Sequence, residues 1–170
     1  TSAASKIAYN TPNAVWVIDT IGTSTGNASI KYPLKSIQYA IDNSAAGDTI
    51  ILNNGTYVED LEIFNKTIVL KAKNLGKAII NPLSPSSKPI LNIQDQNQWG
   101  QTIYSKPQNK IIGLVFSGST FTQWGNTAPA ALNINFNSNP IFESCTFTNN
   151  SSQYVFNIDQ SAPLFNNCLI

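Results

Sequence analysis

"ALNINFNSNPIFESCTF", residues 131–147, holds two short strands that the chain writes more than once. Leu132-Asn133-Ile134 has a near-copy upstream, Leu91-Asn92-Ile93, and another downstream, Phe156-Asn157-Ile158. Phe142-Glu143-Ser144-Cys145-Thr146-Phe147 returns as Phe165-Asn166-Asn167-Cys168-Leu169-Ile170. Leu132 and Phe156 lie 24 residues apart, Cys145 and Cys168 lie 23 apart, and a recurrence of that size marks stacked coils. In each first strand two apolar residues flank an Asn, so strand alternation turns the apolar pair inward and the Asn outward. Stacking then builds internal ladders of Leu91, Leu132 and Phe156 and of Ile93, Ile134 and Ile158. A second set stacks Phe116, Phe147 and Ile170, with Leu114, Cys145 and Cys168 beside them. One coil cannot bury its own apolar side, but each coil covers the next.

The upstream copies are stretched. Leu91 to the matching strand at Ile111 takes 20 residues, against 10 from Leu132 to Phe142. The stretched gaps contain the same tripeptide, Gln98-Trp99-Gly100 and Gln123-Trp124-Gly125. Insertions in a solenoid emerge as loops, so two Trp-bearing loops are expected to leave adjacent coils.

Ahead of these coils, residues 14–18 read as a strand. Pro33 suits a first helical position, and Leu34, Ile37 and Ile41 follow at helix spacing to about Ser44. After Gly47-Asp48 the texture is short β-rich runs: 49–52, 56–58, 61–63, 67–70, 78–80 and 90–93. The runs and the repeat imply an all-β solenoid of stacked coils with one short helix, and the resemblance given below makes the expected fold class a right-handed parallel β-helix (solenoid) with a short N-terminal capping α-helix. Residues 1–47 form the N-terminal strand and capping helix, and 48–170 the coils of one structural domain.

The composition narrows the function. The chain has 170 residues, of which 11% are charged, and a formal net charge of +1. Polarity comes from 22 Asn, 17 Ser and 14 Thr. Near-neutrality argues against a nucleic-acid footprint or a polybasic membrane patch. No apolar run approaches the roughly 20 residues of a membrane span. Low charge with many amides and hydroxyls points to an extracellular or cell-surface location. All ten basic residues are lysines, so imidazole acid–base chemistry and bidentate guanidinium contacts are both missing.

Trp16–Ile63 resembles the amino-terminal part of pectin-lyase-like right-handed parallel β-helix proteins. There a strand and a Gly/Ser/Asn stretch precede a "P-x-K-[ST]-I-x-x-A-I" helix, then "G-D-T-I" and "G-x-Y-x-E". The matching residues are Pro33, Lys35, Ser36, Ile37, Ala40 and Ile41; Gly47, Asp48, Thr49 and Ile50; and Gly55, Tyr57 and Glu59. The resemblance implies that the helix caps the open first end of the solenoid. It does not imply one activity, because the superfamily holds lyases, esterases, hydrolases, epimerases, adhesins and structural proteins.

Catalytic members of the methylesterase type, which resemble this chain around "AALNI…IFESCTF", use two Asp and an Arg. The corresponding stretch, 149–154, has no Asp, and the chain has no Arg. Glycosidase members need clustered Asp with His and Lys or Arg support. Lyase members need a Lys or Arg base beside a calcium-bound uronate. No catalytic residue is assigned, no cofactor is expected, and the chain reads as leaning away from enzymes.

The dense acidic group Glu59, Asp60 and Glu62 is a weak candidate for oxygen-ligated calcium, against a solvated strand face. Asp95 and Asp159 each close an "NI" strand and are expected at turns. Trp99 and Trp124 offer flat faces for sugar or protein, against folding back onto the solenoid wall. The outward row Asn92, Asn133 and Asn157 is a candidate polar ligand ladder, against side-by-side stacking that solvates the face. Cys145 and Cys168 sit one coil apart, and buried thiols are expected over a strained disulfide. The N-x-[ST] sequons at Asn27, Asn54, Asn65, Asn149 and Asn150 permit glycosylation, but composition alone produces about that many.

The sequence stops inside an inward strand, which leaves an apolar disc and open backbone groups unless something covers them. One expectation is a homo-oligomer or polymer through the solenoid ends, with Ile7–Tyr9 and Val15–Ile18 pairing with a neighbour's open coil. The functional expectation is a non-catalytic extracellular module, a structural subunit of a surface or filamentous assembly, with polysaccharide as a further partner. The alternative is the N-terminal part of a polysaccharide-active enzyme whose catalytic coils lie beyond Ile170.

Overall fold

In the computed structural model of the chain, the described residues are 13–84, 88–95, 108–120, 131–151 and 154–170. The chain opens with β1 (Val15–Thr23) and α1 (Ile37–Asn43). It then makes repeated circuits of three strands. The first is β2 (Thr49–Leu52), β3 (Gly55–Val58) and β4 (Leu61–Phe64). The second is β5 (Val69–Ala72), β6 (Ala78–Asn81) and β7 (Leu91–Gln94). The third is β8 (Lys110–Ile112), β9 (Leu114–Ser117) and β10 (Leu132–Asn135). The fourth is β11 (Ile141–Glu143), β12 (Thr146–Thr148) and β13 (Phe156–Asp159), and β14 (Leu164–Asn166) starts a fifth.

Each circuit visits three sheets in rotation, and every pairing is parallel. The first sheet runs β1-β2-β5-β8-β11-β14, the second β12-β9-β6-β3 and the third β13-β10-β7-β4. The registers are those the repeat dictates: Leu91, Leu132 and Phe156 are partners, as are Ile93, Ile134 and Ile158. Phe116 pairs with Phe147, and Ile111 with Phe142. The strands alternate buried and half-exposed residues, and the inward rows fuse into one core. Near the last circuits the core is aromatic. Phe116 stacks on Phe147 at 5.3 Å between ring centroids, and Phe142 on Phe165 at 4.9 Å.

The corner between the first and second sheets is a single left-handed residue, repeated in column. Gly113 (φ 68°), Ser144 (φ 53°) and Asn167 (φ 52°) occupy it in successive circuits. Their amides and the carbonyls across the gap bond from circuit to circuit: Gly113 N–H donates to the Glu143 carbonyl, and Ser144 N–H to that of Asn166. Gly and Asn tolerate this conformation best, which is why a one-residue bend can be written this way.

Three expectations need correction. Pro33 does not begin the helix: its carbonyl accepts from Thr23 N–H, Leu34 bridges Ile18 and Thr23, and Ser36 is the N-cap. The strand expected at 67–70 begins two residues later, at Val69. Residues 66–68 instead form a corner held by buried Asn109, which accepts from Ile68 N–H and donates to the Lys66 carbonyl. The edge of β1 at Val17 and Ile18 is not open to strand pairing with a neighbouring copy. Val15–Ile18 pair with Thr49–Leu52 on one side, and on the other Val17 N–H donates to the Ala28 carbonyl while Ile18 bridges Leu34.

Phe142→Ala is expected to lower the unfolding free energy by about 3–5 kcal/mol in urea titrations, because the ring is fully buried, stacked on Phe165 and edge-on to Phe147. Thr148→Ala, on an exposed outward position, should stay within about 0.5 kcal/mol.

Candidate functional site

The acidic residues divide at once between two places. Glu59 and Asp60 lie at the corner between β3 and β4, not within a strand as the solvated-face reading had it. Glu59 reaches the first turn of α1: its two oxygens accept from Ile37 N–H (2.8 Å), Gln38 N–H (2.9 Å) and the Ser36 hydroxyl (2.9 Å). Ser36 in turn accepts from Tyr39 N–H. The orphan donors of the helix start are thereby filled, with a carboxylate at the positive end of the dipole. At the other end Lys66 donates to the Ile41 and Asp42 carbonyls, and burial lowers its pKa from the ordinary lysine value.

Between these two clamps lies an amide that acts as a strand. The Gln38 side chain accepts from Glu62 N–H (2.8 Å) and donates to the Glu62 carbonyl (3.1 Å). β4 is the first strand of the third sheet, so these are the backbone groups that an earlier strand would otherwise have paired. Asp48, buried, ties the same end together by accepting from Ala14 N–H, the Trp16 indole and Ala45 N–H. Asp60 accepts from Leu83 and Ser84 N–H. The three acids of the proposed calcium group thus face different partners. Among the described residues no three His, Cys, Asp or Glu side chains gather as a metal-binding group.

The second place is the outer face of the third sheet. Asn157 donates to Asn133 (2.7 Å), Asn133 to Asn92 (2.9 Å), and Asn92 to the Glu62 carboxylate (3.2 Å). Gln94 donates to Asn92 from the adjoining row. Strands disfavour Asn, so the row needs a compensating interaction, and the directed amide chain supplies one. Asn133 keeps one N–H and one lone pair for outside partners, and Asn157 has no donor to its oxygen among these bonds. The second outward row is Phe64, Gln94, Asn135 and Asp159, so among the described residues the strands of this face carry amides, two carboxylates and an exposed ring.

Trp99 and Trp124 lie outside the described residues. Asn27, Asn54, Asn65 and Asn149 are exposed, whereas the Asn150 amide is engaged at both ends, by Ser119 N–H and the Phe116 carbonyl. Asp159 ends β13. Cys145 and Cys168 are free thiols, the first buried and the second half-buried. Sequence reading missed Gln38, Asp48 and Asn109 as structural polar groups. Asp48 alone had a signal, its place in the "G-D-T-I" motif. No helix among the described residues is long and apolar enough to cross a membrane. Comparison with family models, curated proteins and solved structures returns no match.

Glu59→Gln should cost about 1–3 kcal/mol in urea unfolding, because one amide N–H then faces backbone donors that the carboxylate satisfied. The thiols give a pH test. Burial pushes the Cys145 thiol from 9.0 up to about 12. Between those values the unfolded chain has lost a proton that the native state keeps. Stability is therefore fully present below pH 9 and falls as pH rises toward 12. Tyr57, also raised by burial, acts in the same direction, and Cys145→Ala should reduce the slope without removing it. Alkylation of the native protein is expected to label Cys168 first and Cys145 only on unfolding.

Proposed function

We propose that the chain is a right-handed parallel β-helix of the pectin-lyase-like kind, working outside the cell as a non-catalytic structural module. The observation that carries this reading is the engagement of the ionisable groups around the first circuit. Asp48, Glu59, Asp60, Glu62 and Lys66 each bond to backbone or to a neighbouring side chain that closes or braces the stack. Right-handedness follows from the rule for parallel crossovers within a sheet. The extracellular setting is supported by the low charge and the amide- and hydroxyl-rich composition.

The surface that such a module offers is the amide-rich face of the third sheet, suited to the hydroxyls of an uncharged polysaccharide. Of the two segments expected to pair with a neighbour's open coil, Ile7–Tyr9 lie outside the described residues, and the edge of β1 at Val17 and Ile18 is met by Ala28 and Leu34 of the same chain.

The test is a panel of neutral and acidic oligosaccharides, with and without calcium, followed by reducing-end release and uronate unsaturation. Amide resonances of the same samples report binding. No turnover, with neutral sugars shifting the side-chain amides of Asn133 and Asn157, is the expected result. Turnover that disappears when one carboxylate or lysine is replaced would overturn the non-catalytic reading.

A further inference from the structure

The three outer faces differ in chemistry. The third sheet is amide-rich, and the second presents Thr56, Val58, Ile79, Asn81, Val115, Ser117, Thr146 and Thr148, small and mixed. The first sheet is the widest, with six strands. About half of its outward positions are aliphatic and open to solvent: Ile51, Val69, Ile112 and Ile141 are half-exposed, and Val15 and Leu164 are more than half exposed, with Thr49, Lys71, Lys110, Glu143 and Asn166 between them. A row of this kind on a solvent face calls for a partner more than the other two faces do.

Charge on this face is arranged about a centre. In register across β5, β8 and β11 stand Lys71, Ile112 and Glu143, and in the adjoining row Val69, Lys110 and Ile141. Rotation by a half-turn about an axis along β8 brings Lys71 of one copy opposite Glu143 of the other, and Glu143 opposite Lys71. The same operation sets Ile112 on Ile112 and Val69 on Ile141. Among the charged residues only Lys110 meets its own kind, and it is exposed, on a long stem that can turn to solvent. A column reading plus, apolar, minus is self-complementary under two-fold symmetry, which is the requirement of an isologous contact.

We propose that the outer face of the first sheet is a two-fold interface between two copies of this chain, packed side by side. Six strands at about 4.8 Å and about four residues each give a patch of roughly 24 by 13 Å, about 600 Å² counted over both copies, which is below the range of stable specific interfaces and is the scale of a weak, transient contact. The dimer is accordingly weak and reversible, with charge fixing the register and aliphatic contact supplying the attraction. It gives the structural module a way to associate laterally while leaving the amide face free, and it rests on that reading of the chain.

Sedimentation equilibrium from micromolar to millimolar protein tests it. A reversible monomer–dimer equilibrium is expected. Glu143→Lys and Lys71→Glu should each weaken it about tenfold or more, Ile112→Lys should abolish it, and Lys71→Glu with Glu143→Lys together should restore it. Thermal melts of each variant show that the fold is kept. A chain that stays monomeric throughout, a dimer indifferent to either single reversal, or a double variant that fails to recover would overturn the proposal. None of these substitutions touches the third sheet, so glycan binding and turnover remain separate readouts. Turnover would overturn the non-catalytic reading and leave the dimer standing.

Discussion

A parallel stack has a first strand in each sheet, and the outer N–H and C=O groups of that strand need partners. In this chain the need is met by side chains and short segments of the N-terminal region. Gln38 completes the edge of the third sheet at Glu62. Residues 28–34 cover the edge of the first. The seven-residue helix that presents Gln38 is too short to persist alone in water. It is held by Glu59 at its start and Lys66 at its end, and both come from the first circuit it covers. Cap and circuit are therefore mutually dependent, and every later circuit pairs on the one before.

This dependence explains where the charges went. A chain with nine acidic and ten basic residues has few to place, and the acids of the first circuit brace the closed end. Further along, polarity passes to neutral amides, which stack in register without the repulsion that a column of carboxylates would suffer. The Asn chain and the Glu62 carboxylate meet at the junction of these two regimes. Glu62 accepts from Asn92 through its side chain and pairs with Gln38 through its backbone. The scaffold and the candidate carbohydrate face thus share a residue.

The later registers were legible because the repeat writes them twice. Leu132 and Phe156 share an environment, so they share a letter class and a spacing. The corners were less legible. The strand begins late, at Val69, because Asn109, 41 residues beyond Ile68, supplies the bond that Ile68 would have made in a ladder, and no local propensity encodes such a contact. The outward direction of Asn92, Asn133 and Asn157 followed from alternation. The chain of bonds ending on Glu62 did not, because β4 reads Leu-Glu-Ile and its register against β7 emerges only from the fold. Glu59 showed in the motif as a position but not as a helix cap, since the bond spans the loop that brings α1 over the sheet.

The mutual dependence of cap and first circuit is tested most directly by residue-resolved native-state hydrogen exchange. The amides of Ile37, Gln38 and Glu62 donate to side chains, whereas Leu61 N–H donates into the sheet, to the Ile90 carbonyl. If the cap closes the stack, all four open in one cooperative unit and exchange with the same free energy. Exchange of Ile37, Gln38 and Glu62 at rates typical of frayed termini, with Leu61 still protected, would show that the stack holds without its cap and would contradict the account.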